Sequence, residues 1–206
     1  MNSAGRQSVF AIVLAAGSAS RYGRSKQLED FKGMSLVRHA TELAHEVCGD
    51  NTILVTGHKS AAVARAAGDA ARFLVVNDRY AEGMGSSIAV AAKVVSHAAD
   101  GILLMLADQP LITASHLREL RDTWNGADDE IVATSFAGRM GPPVLFPRKT
   151  FPALAQLSGD HGARGVLRDA RFNMKTIKFE DARVDIDTPE DLAALNVGAR
   201  PSARRS

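Results

Sequence analysis

Two kinds of apolar run alternate along the first half of the chain. Short continuous runs at 9–14, 52–56, 72–76 and 101–106 have the length of strands buried on both faces. Between them lie stretches with apolar residues at helical spacing. The first, 33–50, carries Leu36, Val37, Ala40, Leu43, Ala44 and Val47; the others are the alanine-rich 60–67 and 86–98. Strands alternating with helices at intervals of roughly 25 residues predict βαβ units and a mostly parallel sheet with helices on both faces. The second half is less regular. A helix is predicted over 113–124 with Thr113 or Ser115 as cap, strands over 130–136 and 143–146 around a glycine-rich turn at 137–141, short helices over 149–157 and 162–169, and a strand over 174–179. Thr188-Pro189-Glu190-Asp191 opens a last helix with a capping box. The pattern fits one α/β domain over 9–197, between a flexible N-terminus (1–8) and a basic, disordered tail (198–206).

Composition changes this picture little. The 206 residues are 46% hydrophobic and 23% charged, with a net charge of +2 and 5% aromatics, so nothing asks for nucleic acid or a membrane surface. The lone Cys48 permits neither an internal disulfide nor a Cys/His zinc pattern, and reads as a buried small residue. No apolar run is long enough to span a bilayer, and the N-terminus lacks a leader pattern, so the expected location is cytoplasmic.

Ligands of open parallel sheets bind at the carboxyl ends of the strands, which gathers three loops. Ala15 to Lys26 follows the first strand with small residues and then Arg21, Arg24 and Lys26. Such a loop can aim backbone amides, guanidinium and ammonium groups at a polyphosphate. It matches neither a Walker loop nor a dinucleotide fingerprint, and it also reads as an ordinary loop with surface cations. Gly83-Met84-Gly85-Ser86-Ser87 opens a helix, either as an anion site or with a serine as plain N-cap. Asp108 in Ala107-Asp108-Gln109-Pro110 directly follows an apolar strand, where Mg²⁺ ligation competes with capping of the next helix. Asp185 and Asp187, read as the end of a late strand, would face one side and could both meet a metal, or Asp187 could cap the Thr188 helix. His161 lacks a second histidine at metal-ligand spacing; His39, His45 and His97 read as polar-face residues. No serine sits in a Gly-x-Ser-x-Gly elbow.

Taken together, these segments resemble a known family. The run Leu14 to Lys26, LAAGSASRYGRSK, resembles the LAAGxSxRxGxxK segment of nucleotidyltransferases with a glycosyltransferase-A-like, Rossmann-like fold. Gly83 to Ser87, Ala107 to Leu111, Gly141 to Phe146, Ser158-Gly159-Asp160-His161-Gly162-Ala163-Arg164 and Asp185 to Leu192 follow in the order of molybdenum cofactor cytidylyltransferases. Three positions depart: Gly85 stands where relatives usually have serine, Tyr22 replaces a common methionine, and Met34-Ser35 replaces a usual proline.

The resemblance implies transfer of CMP from CTP to the terminal phosphate of the molybdenum cofactor (molybdopterin), with pyrophosphate leaving and Mg²⁺ as cofactor. It implies that Leu14, Ala15, Ala16 and Gly17 line the nucleotide, that Arg21 and Lys26 hold its phosphates, and that Gly83, Ser86 and Ser87 lie near base and ribose. Asp108 would bind the metal with Asp185 or Asp187, and Arg21, Lys26 and Asp108 would form the catalytic set. Gln109, Asp160, His161 and Arg164 would face the pterin. A receiving molybdoenzyme or its maturation chaperone is a further implied partner. Guanylyltransferase relatives usually carry Leu-Ala-Gly-Gly and Asp-Thr-Pro, so Ala16 and Gln109 favour cytidine. The rivals are a guanylyltransferase, a transferase for another phosphorylated metabolite, and a non-catalytic cofactor carrier.

Overall fold

The first apolar run becomes β1 (Val9–Ala15), the strand beside which the rest is laid. The structure, a computed structural model, describes residues 7–18 and 22–198. Expectations for Arg21, for residues 1–6 and for the tail beyond 198 lie outside the described residues. A single 3-10 turn (Lys26–Leu28) and a small hairpin of β2 (Asp30–Phe31) and β3 (Met34–Ser35) lead to α1 (Leu36–Cys48). Then come β4 (Thr52–Thr56), α2 (Ser60–Ala67), β5 (Phe73–Val76), α3 (Met84–Val95) and β6 (Gly101–Leu106). The second half holds α4 (Ala114–Thr123), β7 (Glu130–Phe136), β8 (Arg139–Pro147), α5 (Phe151–Leu154), α6 (Arg164–Leu167), β9 (Asn173–Lys178) and α7 (Pro189–Asn196).

Seven strands form one sheet in the order β5-β4-β1-β6-β8-β7-β9. Only β8 runs against the others, so the mostly parallel α/β sheet expected from the sequence is what forms. The two-residue alternation of the strands sorts the core into two layers. Ala11 and Val13 of β1 and Leu103 and Met105 of β6 face α1, α2 and α4, whereas Ile12, Leu14, Ile102 and Leu104 face α3, α5 and α6. Helices on both faces explain why these strands are apolar throughout. A third, smaller cluster, with Tyr22, Phe31, Leu36, Val184, Ile186, Leu192 and Leu195, fastens the C-terminal segment beside the opening loop.

Four expectations need correction. Residues 33–35 do not begin α1: Lys32 and Gly33, at φ 53° and 91°, turn the β2–β3 hairpin, and the Ser35 hydroxyl accepts from the Arg38 amide to cap the helix. The turn at 137–141 shrinks to Ala137 and Gly138, after which β8 starts at once. α3 begins at Met84, two residues early, because Gly83 at φ 104° breaks the preceding turn. Residues 184–187 are extended but join no strand; one bond, from the Ile186 amide to the Asp108 carbonyl at 2.9 Å, ties them to the sheet edge. Cys48 lies half-buried in α1, where burial pushes its thiol up to about 11. Among the described residues no helix is long and apolar enough to cross a membrane.

Candidate active site

The carboxyl ends of β1 and β6 open onto a cavity of about 430 Å³. Ala15 and Ala16 are almost fully buried, so the chain leaving β1 presents backbone rather than side chain there. Two crossings hold this loop: the His58 amide donates to the Ala16 carbonyl (3.1 Å), and Gln27 Nε2 donates to the Gly17 carbonyl (2.8 Å). The Gly57 that permits the first crossing is packed so closely that a Cβ there would stand 2.5 Å from Tyr80 and 2.9 Å from the Ala16 carbonyl.

The 3-10 turn after the loop aims Lys26 into the cavity floor. Its ammonium lies 2.7 Å from Asp108 Oδ2 and 3.5 Å from Asp187 Oδ1, and it donates to the Ile186 carbonyl at 2.6 Å. Three partners match the three protons of an ammonium. Burial works against the charged lysine, but Asp108, Asp187 and Asp185 outweigh it and hold its pKa above the ordinary value. Asp108 extends directly from β6, and Ile186, fully buried in the third cluster, fixes Asp185 and Asp187 on either side of it. Asp185 lies deeper: burial first, and the neighbouring Asp108 carboxylate second, raise its pKa to about 7.

The capping alternatives fall away. Thr113 caps α4 and Thr188 with Asp191 forms the capping box of α7, so neither Asp108 nor Asp187 is needed for a helix end. Asp108 Oδ1 and Asp185 Oδ1 are both buried without a hydrogen-bond partner. Orphaned carboxylate oxygens, Asp108 in the cavity lining and Asp185 outside it, suit a hard divalent cation, which takes one or two carboxylates and leaves other positions to water and phosphate. Among the described residues no three His, Cys, Asp or Glu side chains gather on one point.

The far wall is the start of α3. Asn77 Nδ2 donates to both Ser86 Oγ (2.8 Å) and Ser87 Oγ (3.0 Å), and Ser86 donates to the Arg79 and Gly83 carbonyls. The segment 158–162 packs against this helix end, with the Gly85 amide donating to the Gly159 carbonyl at 2.8 Å. A Cβ on Gly85 would come 2.6 Å from the Ser158 carbonyl, which gives a physical reason for glycine here.

The cavity walls therefore include Leu14, Ala15, Ala16, Gly17, Lys26, Gly83, Ser87, Asp108 and Asp187. Other expected residues sit elsewhere. Ser86 is buried in the Asn77 network, and Gln109 is only 5% exposed, its amide donating to the Ala182 (2.7 Å) and Pro142 (3.3 Å) carbonyls instead of facing a substrate. Asp160 borders the same cavity as Gly83, while His161 and Arg164 are exposed and outside its lining. His39 is no polar-face residue: its Nε2 meets the Pro110 carbonyl at 3.0 Å, bracing the segment after Asp108. Reading the residues alone missed Gln27, Tyr80 and Asn77. Only Asn77 left a sequence signal, a polar residue directly after an apolar strand.

A model of the MobA-like NTP transferase domain matches residues 11–176. The purine catabolism protein PucB of Bacillus subtilis is 31% identical over 194 residues, covering 89% of this chain and 93% of its own. The nicotine blue oxidoreductase of Paenarthrobacter nicotinovorans is 31% identical over 201 residues, covering 91% and 96%. Among solved structures, Rv0371c of Mycobacterium tuberculosis superposes with a TM-score of 0.78 at 30% identity, over 93% of this chain and 99% of that one. A structure of Rv0371c in complex with manganese gives 0.76 at 28%, over 94% and 100%. With its strand order, its small-residue loop and the Lys26–Asp108 pair at the sheet edge, this chain is a nucleotidyltransferase belonging to the MobA-like NTP transferase domain family.

Proposed function

We propose that the protein transfers CMP from CTP to the terminal phosphate of the molybdenum cofactor and releases pyrophosphate. The observation that carries this reading is Lys26 held 2.7 Å from Asp108 on the floor of a cavity that the small residues Ala15, Ala16 and Gly17 also line. Support for the acceptor and the base comes from the segments around Asp108, Asp160 and Ala16, which resemble molybdenum cofactor cytidylyltransferases.

The nucleophile is already an anion, so the reaction needs no base to remove a proton. What opposes it is repulsion between two phosphates and the charge that grows on the departing pyrophosphate. The amides of 15–18 and the Lys26 ammonium meet that charge without reorganising. Lys26 donates to phosphate oxygens by giving up Asp187, its most distant partner at 3.5 Å, while Asp108 and the Ile186 carbonyl keep the ammonium aimed. Arg21 adds a second cation in this reading. Asp108 and Asp185, through their unpartnered oxygens, would hold Mg²⁺, which supplies positive charge against the phosphate oxygens when bound. The name of one relative invites an oxidoreductase reading, but the loop after β1 lacks the glycine spacing of a dinucleotide fingerprint.

Pyrophosphate release, measured with molybdopterin-bound molybdenum, Mg²⁺ and either CTP or GTP, tests the proposal. Release with CTP is expected. Release with GTP alone would overturn the cytidine assignment, and release with neither would favour another acceptor or a carrier.

A further inference from the structure

The edge of the sheet farthest from β9 is not used by the site. Among the described residues β5 has one neighbour, β4, and its other side is open. Phe73, Leu74 and Val76 are 50%, 50% and 46% exposed, and they do not share a face. Phe73 is level with Ile53 on the α3 side, while Leu74 and Val76 are level with Leu54 and Thr56 on the α2 side. Edge strands are ordinarily blunted by lysine, proline or a bulge; β5 has none of these within its four residues.

The direction of its free backbone groups can be worked out. The Asn77 amide donates to the Thr56 carbonyl at 2.7 Å, so residues 73, 75 and 77 turn their backbone groups toward β4. Arg72, Leu74 and Val76 turn theirs outward. Outward groups of two antiparallel strands pair only with each other, which limits the registers two copies can adopt. One of these sets Leu74 opposite the partner's Val76 at both ends of a two-fold axis through Val75. The same register brings Arg72 opposite the partner's Asp78. Both charges are exposed, and neither forms an ion pair within the described residues.

We propose that β5 is a self-association edge, on which a second copy of this chain adds its own β5 antiparallel with Arg72 and Asp78 paired reciprocally across the axis. Apolar side chains on both faces are covered together with the open backbone edge. The contact is short, well under a standard interface, so the dimer is weak and concentration-dependent. Antiparallel joining points the carboxyl ends of the two sheets, and with them the two cavities, in opposite directions.

Sedimentation velocity over a wide range of concentration at low ionic strength tests this. The wild-type chain is expected to shift from monomer toward dimer, and added salt to reverse the shift. Arg72→Asp and Asp78→Arg each place like charges across the axis and are expected to sediment as monomers, as is Leu74→Lys. The double variant R72D/D78R restores opposite charges and is expected to dimerise again. A wild-type chain that stays monomeric, a dimer indifferent to Leu74→Lys, or a double variant no better than its parents would each overturn the proposal.

Discussion

Lys26 directs all its protons to Asp108, Asp187 and the Ile186 carbonyl, which makes it both a structural pin and a cation lining the cavity. Its removal and the neutralisation of Asp108 therefore have separable effects. Asp108→Asn is expected to cut turnover on the order of a hundredfold to a thousandfold, with the far-ultraviolet circular dichroism unchanged; near-normal turnover would take Asp108 out of the site. A second residue-scale test uses His116, which is 2% exposed and stacks on Phe179 with ring centroids 4.3 Å apart. Thr134 donates its hydroxyl proton to the Pro143 carbonyl, so His116 Nε2 must be the donor in its 2.8 Å contact with Thr134. Nδ1 is then buried without a partner, and desolvation lowers the histidine to about 4. An unfolded histidine titrates near 6.5, so between about pH 6.5 and 4 the unfolded chain binds the extra proton. This contribution to stability is complete above pH 6.5 and shrinks as the pH falls through that window. Urea midpoints should show the decline, and His116→Phe should flatten it; an equal slope in both would contradict the assignment. Tyr80 and Gln27 could not be picked out from the sequence because what they do depends on loops crossing in space, whereas Asp108 stood out by following an apolar strand.

At the scale of elements, the site depends on two loop–helix junctions. Asn77 ties the end of β5 to the first turn of α3 through both serine hydroxyls, so Asn77→Ala leaves Ser87 unheld at the cavity wall. The expected result is a stability loss of about 1–3 kcal/mol in urea titration together with a raised KM for the nucleotide. The second junction is the docking of 158–162 on the same helix. Gly85→Ser would place a Cβ 2.6 Å from the Ser158 carbonyl. That variant is expected to lose about 1–3 kcal/mol from overpacking, and an unchanged midpoint would show that the loop moves aside. These junctions were not evident in the sequence. A glycine pair before a helix reads equally as a turn or a ligand loop, and only the approach of a segment 70 or so residues away decides. β1, β4 and β6 could be read directly because burial on both faces makes them apolar throughout. β2 and β3 are too short to show any period, and the exposed start of β8 looked like part of a turn. The segment 184–187 alternates like a strand because Val184 and Ile186 fill the third cluster, although it pairs with none.

For the whole molecule, one sheet with a single reversed strand brings the opening loop, Asp108 and the Asp185–Asp187 segment to the same edge, though 160 residues separate Lys26 from Ile186 in the chain. The small third cluster guarantees that meeting, since it locks Ile186 beside Tyr22 and so holds both carboxylates against the lysine. Chelation of divalent metal is accordingly expected to abolish nucleotidyl transfer without unfolding the chain, because the core layers above and below the sheet do not involve the carboxylate pair. The central claim, that this edge moves a cytidylyl group onto a molybdopterin phosphate, is tested most directly by following the α-phosphorus of labelled CTP. Wild-type protein with Mg²⁺ and the molybdenum cofactor should carry the label into a pterin–cytidine dinucleotide, and Asp108→Asn should not. Label that stays in CTP with the wild-type protein, or moves equally well with the variant, would contradict the account.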